Sequence, residues 1–317
     1  MEGVQWRIRF QESEDMARKT KKKIGFLGLG RMGGLMAKHL VDAGFDVTGY
    51  DPVSQATAAA KKNGVNTART VAAAVKNADV VCSSLPSPAV VQNVYSGPKG
   101  VLETARRGAV CFELSTSSVA LAKEIAAEAK KKRIAFLDAP VLGSVPHLER
   151  KGVSAIVGGD EAALKEHRDV LDAFSKSVTY MGKSGNGLLM KLVSNHIVFI
   201  QHAGMAEGLA FGVKAGLTAR KMMKFLQGSV IPDLIHYKGP DMAARDYSKV
   251  IGHLGLSYKD MGISVNEAND LGVPVPLGAA ARQQHTSAMA LGFEHADLNA
   301  VFEAFLNGMG MKPKRKF

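Results

Sequence analysis

Cysteine, tryptophan and unbroken apolar runs are scarce in this chain, and each shortage closes off a class of protein. Two cysteines, Cys82 and Cys111, occur among 317 residues. Two thiols make neither a disulfide framework nor a zinc site, so a reducing, cytoplasmic setting is expected. Both lie in apolar runs, DVVCSSL and AVCFEL, and read as small buried hydrophobes. The nine histidines show no HExxH or other ligand spacing, so no metal is expected. The longest apolar stretch, near 188–213, is interrupted by Lys191, Asn195, His196, Gln201, His202 and Glu207. That is too polar for a bilayer span and suits a buried core helix, so no membrane is expected. The first twenty residues lack an apolar core, and Glu2, Glu12, Glu14 and Asp15 argue against a transit peptide. Met16 reads as a natural start, with 1–15 as an extension. Acids are also in deficit: 29 Asp and Glu against 41 Lys and Arg leave a net charge of +12. Much of the excess sits in RKTKKK (18–23), KKKR (130–133) and KPKRK (312–316). Such runs are usually solvated tails and helix ends, so nucleic acid is not expected as a partner.

What remains is a globular composition, 46% hydrophobic and 22% charged. From residue 23 to about 182, short β-rich runs alternate with alanine- and lysine-rich helical patterns. The runs are KIGFLGL, DVTGYD, DVVCSSL, AVCFELS, IAFLDAPV, SAIVGG and VTYMG. The alternation predicts an α/β unit with a mostly parallel, doubly wound sheet of Rossmann type. After GKSGNG the β signal stops and everything reads as helix. The expected organisation is an extension or basic tail over 1–22, a dinucleotide-binding domain over 23–183 and an all-helical substrate and dimerisation domain over 184–310.

KIGFLGLGRMGG follows a strand and opens a helix, which is the context G-x-G-x-x-G requires. Gly28 allows the tight turn, Gly30 the approach of a pyrophosphate, and Gly33 close helix–strand packing. With Leu29, Arg31 and Met32 they form the expected phosphate loop. The next strand ends in Asp51, 23 residues after Gly28. A carboxylate there accepts from the adenosine ribose diol and repels a 2′-phosphate. NAD is therefore expected, with NADP as the alternative. A second oddity is Lys191, a lone charge among Leu188, Leu189, Met190, Leu192 and Val193. Apolar surroundings lower a lysine pKa toward working pH.

Five ordered motifs, GFLGLGRMGGLMAKHL, ELST, DAPVLGS, GNGLLMKLVSN and YKDM, resemble the β-hydroxyacid dehydrogenase family from about 23 to 308. That family includes 3-hydroxyisobutyrate dehydrogenase, tartronate semialdehyde reductase and the glyoxylate/succinic semialdehyde reductases. The resemblance implies hydride transfer between a nicotinamide and a small β-hydroxy acid or semialdehyde, with Lys191 as general acid/base. It implies that Asn195 contacts substrate and that Ser115 holds its carboxylate, together with Gly143 and Ser144. It places Thr116 beside the cofactor, with Leu85 and Pro86 wrapping it and Lys259 closing over it. It also implies a small anionic substrate and a homodimer or higher homo-oligomer. The chain departs from the pattern in places. Glu113 stands where aspartate is common, Ser194 and Val90 where asparagines are common. Gly143–Ser144 and Glu149 resemble the glyoxylate/succinic semialdehyde branch, whereas VPHLERKG fits neither branch, which leaves the substrate open. Two other readings stay on the table, an imine reductase and a non-catalytic scaffold member. Relatives of those kinds replace or lose the lysine that is present here.

Overall fold

The computed structural model describes residues 22–228 and 232–314, with the backbone alone for 232–235. Of the basic run at 18–23 only 22 and 23 fall inside that range, and of the one at 312–316 only 312–314. The strands are β1 Lys23–Leu27, β2 Asp46–Tyr50, β3 Asn66–Thr67, β4 Val80–Ser83, β5 Val110–Glu113, β6 Ala135–Asp138, β7 Val141–Leu142, β8 Val153–Val157 and β9 Ser175–Tyr180. Interleaved with them are helices α1 Arg31–Asp42, α2 Ser54–Lys62, α3 Val71–Val75, α4 Pro88–Ser96, α5 Val101–Thr104, α6 Val119–Lys131, α7 Val145–Leu148 and α8 Glu161–Asp172. Helices alone follow: α9 Asn186–Lys214, α10 Ala219–Leu226, α11 Pro232–Ala244, α12 Leu254–Asp270, α13 Pro276–Ala290 and α14 Val301–Gly308.

Six strands form a parallel sheet in the order β3-β2-β1-β4-β5-β6. β4 and β5 are buried at every position, as strands covered by helices on both faces must be. The order reverses between β1 and β4, so a crevice opens at the carboxyl ends of these strands, the usual ligand position of doubly wound sheets. The single mostly parallel sheet that the strand pattern suggests is in fact two. β7, β8 and β9 form a separate three-stranded sheet in which β7 runs antiparallel to β8. IAFLDAPV does not run as one strand because Pro140 has no N–H to give to a ladder. The chain steps from β6 to β7 there, and an isolated bridge between Asp138 and Gly158 joins the two sheets.

α9 is the spine of the molecule. Its 29 residues span about 43 Å at 1.5 Å per residue. Leu188 and Leu192 pack into a core with Leu27, Val81 and Ile125 from the sheet region. Farther along, Met205, Ala206 and Leu209 pack into a second core with Tyr247, Phe293 and Phe302. One helix therefore belongs to both halves.

Its start is fixed by Asp138, the fully buried last residue of β6. The carboxylate accepts the Gly185 N–H at 2.7 Å and the Leu188 N–H at 2.9 Å. Helix N-termini leave such donors unpaired, and a carboxylate there also meets the positive end of the helix dipole. Burial pushes the acid up to about 6 against these hydrogen bonds. The approach is close: a Cβ on Gly187 would lie 2.6 Å from the carbonyl oxygens of both Asp138 and Ile156.

Replacing Asp138 with alanine should destabilise the fold by about 1–3 kcal/mol for each donor left without a partner. Gly187→Ala should also destabilise, because two backbone carbonyls must move. Urea midpoints of both variants check this; a midpoint equal to wild type in Asp138→Ala would mean that the helix start is held by something else.

Candidate active site

The glycine loop shows what space it offers. A Cβ on Gly28, at φ +88°, would meet the Ser84 carbonyl oxygen at 2.2 Å, and one on Gly33 would meet the Gly28 oxygen at 2.0 Å. Those two glycines are required by the protein itself. A Cβ on Gly30 meets nothing within 4 Å, so the space above it is free for a ligand. The first-turn N–H groups of α1 open into that space, which suits a diphosphate. Asp51 lines the same cleft. Its oxygens accept the Leu29 N–H at 2.7 Å and the Val53 N–H at 2.8 Å, which fixes the carboxylate at the end of β2. Each oxygen keeps accepting capacity for a ribose hydroxyl. These residues fit a nicotinamide dinucleotide.

Of the sequence-predicted site residues, Gly28, Gly30, Arg31, Met32, Gly33, Asp51, Leu85, Pro86, Ser115, Thr116, Gly143, Ser144, Lys191, Asn195 and Lys259 all line one cleft. Leu29 does not: its side chain is buried in the core and only its N–H serves the site, through Asp51. The cleft holds about 1160 Å³. That exceeds the roughly 300–1,000 Å³ of a pocket for one drug-sized ligand, so a dinucleotide and a small acid can share it.

Side chains from both halves reach across the cleft. Lys259 on α12 donates to the Thr116 carbonyl at 3.2 Å and to the Pro86 carbonyl at 3.4 Å. Arg31 donates to the Val250 carbonyl at 3.0 Å and approaches His253. Tyr237 on α11 meets the Ser144 hydroxyl at 3.0 Å.

Lys191 stands in the second turn of α9 and is 9% exposed. Burial lowers its pKa; Asp260 pulls it back up, and Lys259 adds to the lowering. Asn195 lies one turn further on the same face. It donates to Asp260 Oδ2 at 2.9 Å, and the Lys259 ammonium lies 3.1 Å from Asp260 Oδ1. Asp260 thus joins the lysine, the asparagine and the cross-cleft Lys259. It sits inside the YKDM motif, and that adjacency was the available signal for a residue that motif reading passed over.

The expected carboxylate donors are in use within the protein. The Ser115 hydroxyl makes a very short hydrogen bond to Glu113 and accepts the Leu85 N–H at 2.6 Å. The Ser144 hydroxyl meets His147 Nδ1 at 2.8 Å as well as Tyr237. Because the Ser144 N–H also points at Nδ1, that nitrogen accepts and the serine donates to it. Gly143 holds φ +126°, a conformation that a side chain would strain. His147 and Tyr237 were missed. His147 has a local signal, falling three residues after Ser144 at the start of a helix; Tyr237 comes from a distant helix and has none. Among the described residues, no group of three His, Cys, Asp or Glu side chains is placed to hold a metal. No described helix is long and apolar enough to cross a membrane.

Comparison with known proteins agrees with this geometry. Residues 23–182 match the model of the NAD binding domain of 6-phosphogluconate dehydrogenase. Residues 185–305 match the model described as NAD-binding of NADP-dependent 3-hydroxyisobutyrate dehydrogenase. A probable mitochondrial 3-hydroxyisobutyrate dehydrogenase of Dictyostelium discoideum is 31% identical over 309 residues, covering 94% of this chain and 95% of its own. The NAD-dependent L-serine dehydrogenase of Pseudomonas aeruginosa is 30% identical over 293 residues, covering 90% and 98%. Among solved structures, Mycobacterium tuberculosis 3-hydroxyisobutyrate dehydrogenase with L-serine superposes with a TM-score of 0.80 at 30% identity, covering 89% of this chain and 98% of that one.

Lys191→Ala should fold and bind NAD while turnover falls about 10²–10⁴-fold, the usual share of a general acid–base group. Lys191→Arg should not restore it, since a guanidinium stays protonated. Because burial lowers the lysine pKa, hydroxy-acid oxidation should rise with pH through an ionisation below 10.5, as the neutral amine forms. Parallel measurement of kcat and NAD affinity decides; near-normal kcat in Lys191→Ala sinks the assignment.

Proposed function

The chain belongs to the β-hydroxyacid dehydrogenase family, and from that premise we propose the roles of its site residues and the chemistry of its substrate. It is an NAD(P)-dependent oxidoreductase acting on the CH–OH group of small hydroxy acids. The observation that carries the reading is a buried, pKa-lowered Lys191 in one cleft with an open glycine loop. When bound, the nicotinamide supplies or accepts a hydride. Lys191 gives a proton to the carbonyl oxygen in reduction and takes the hydroxyl proton in oxidation. Asn195, held by Asp260, orients the reacting oxygen or the carboxylate. Ser115, Gly143 and Ser144 hold the carboxylate, and Tyr237 and His147 set where Ser144 points.

The substrate is a β-hydroxy acid or semialdehyde of a few carbons, of the 3-hydroxyisobutyrate or tartronate semialdehyde type. Gly143–Ser144 keeps a glyoxylate or succinic semialdehyde reductase as the second reading. The helical region 184–310 serves substrate binding and dimerisation, with 23–183 as the dinucleotide-binding domain. One face of α9 supports the dimer: Ile197 and Phe211 are 53% and 76% exposed. Between them a Cβ on Gly204 or Gly208 would meet nothing within 4 Å. A second copy covering this face gives a homodimer or a higher homo-oligomer. Both cysteines are free and buried, in keeping with a cytoplasmic protein.

An activity screen of hydroxy acids and semialdehydes with both nicotinamide cofactors tests the substrate. Asp51 should make NAD(H) preferred over NADP(H), and Asp51→Ser should narrow that preference by removing the diol acceptor and the repulsion. Higher kcat/KM with NADPH in the wild type contradicts the role given to Asp51. Gel filtration showing a stable monomer rules out the dimer.

A further inference from the structure

Glu113 ends β5 with 1% exposure and no cation in hydrogen-bond contact among the described residues. One oxygen, Oε1, collects all its donors: the Ser115 N–H at 3.1 Å, the Ser83 hydroxyl at 3.3 Å and, closest, the Ser115 hydroxyl. Oε2 has no partner. Ser115 Oγ in turn accepts the Leu85 N–H. A serine hydroxyl owns one hydrogen, and an ionised carboxylate can only accept. While Glu113 is ionised, that hydrogen is committed to Oε1, and Ser115 faces the cleft with nothing to donate. Once Oε1 carries a proton, the acid donates to Ser115 Oγ and the serine hydrogen is free to turn toward the cleft.

We propose that Glu113 is a positioning residue whose protonation decides whether Ser115 can donate to the substrate carboxylate, so that the anion binds together with one proton. This rests on the reading of Ser115 as a carboxylate donor. Several titratable groups face Glu113. Tyr95 from α4 meets Ser83 Oγ at 2.8 Å. Cys111 lies two residues back on the same face of β5, and burial keeps it a thiol; Cys82 on β4 pairs with Phe112 and points to the other face of the sheet. Asp138 is the register partner on β6, and its oxygens are taken by the start of α9. Lys259 from α12 favours the carboxylate by its charge. Burial outweighs Lys259 and the hydrogen bonds from Ser115 and Ser83, pushing Glu113 up to about 7. An anion docked on Ser115 adds a like charge one hydroxyl away and raises the proton affinity further. By linkage, the proton strengthens anion binding by the same factor.

The test uses the full-length enzyme saturated with NADH and titrated with 3-hydroxyisobutyrate, a pair that cannot react. Calorimetry from pH 6 to 9, in buffers of different ionisation enthalpy, reads affinity and proton uptake together. Wild type should lose affinity with a slope approaching roughly tenfold per pH unit above neutrality, the limit for one linked proton. Uptake should approach one proton over the same range. Glu113→Gln, neutral throughout, should lose both effects. Unchanged uptake in that variant places the proton elsewhere and overturns the proposal. Should Glu113→Gln fail to fold, Ser83→Ala keeps the acid but removes a donor to its anion. The uptake midpoint should then move to higher pH, and a fixed midpoint counts against the idea. Infrared spectra of the NADH complex without substrate give a ligand-independent reading. A protonated carboxyl band should disappear as pH rises through about 7, and the absence of such a band ends the proposal. Ser115→Ala separates the two readings. Wild-type affinity in Ser115→Ala removes the carboxylate role itself, whereas weakened binding there with an unaltered Glu113→Gln profile removes only the role of Glu113.

Discussion

The grip of Asp138 on the start of α9 is the contact from which the rest of the site follows. Two N–H groups of the helix entry end on one buried carboxylate at the tip of β6, the last strand of the parallel sheet. The first turn is thereby fixed relative to the sheet, and an α-helix is stiff enough to carry that placement forward. Lys191 comes three residues after Leu188, about 4.5 Å along the axis, and Asn195 one turn later. Gly187 and Gly158 serve the same contact by letting the helix backbone approach the strand ends. A displacement at this junction would reach the lysine undiminished.

The two halves are joined unequally. α9 contributes apolar side chains to both cores, and that link is as strong as either core. The opposite lip of the cleft is closed by side-chain hydrogen bonds from Lys259, Arg31 and Tyr237. Each is worth about 0.5–1.5 kcal/mol net, and bonds at partly exposed sites fall toward the low end. Separating the lips costs little compared with unfolding. A cofactor that must enter and leave requires that imbalance, and Lys259 and Tyr237 reach over from the half that does not carry the glycine loop, while Arg31 reaches back from the half that does.

What could be read from the sequence was what is local. The turn at Gly28, the helix that follows and the acid at Asp51 lie within 24 residues, and their geometry is set by short-range sterics. The lone lysine was visible because helical periodicity leaves it no polar face. The strand order was legible only through the resemblance, since nothing in a strand names its neighbour. β3 escaped notice because Asn66 and Thr67 are exposed and carry no alternation. The break between β6 and β7 was signalled by Pro140 and overridden by the apolar run around it. Asp260 on α12 was signalled only by its place beside Lys259 in YKDM, whereas Tyr237 reaches the site from α11, so its part depends on packing that residue spacing does not encode. The same holds for the serines. Sequence marks Ser115 and Ser144 as donors, while only the fold shows that Glu113 and His147 already take those hydrogens.

Burial acts on the ionisable groups of the cleft floor in opposite directions, and both serve the same chemistry. It raises Glu113 and Asp138 and lowers Lys191. Acid and base are thereby brought toward neutrality from either side, so each can change its protonation at modest cost under working conditions. Asp138 is the one of the three whose oxygens are both held by backbone amides, which ties it to structure rather than proton traffic. Glu113 has one oxygen crowded with donors and the other without a partner, and Lys191 has no hydrogen-bond partner among the described residues. Incomplete satisfaction is costly in a core, and a site tolerates it where the missing partner is the ligand. The floor of the cleft therefore reads as an arrangement completed by an incoming anion: a proton-bearing amine on one side, and on the other a serine waiting for its hydrogen to be released.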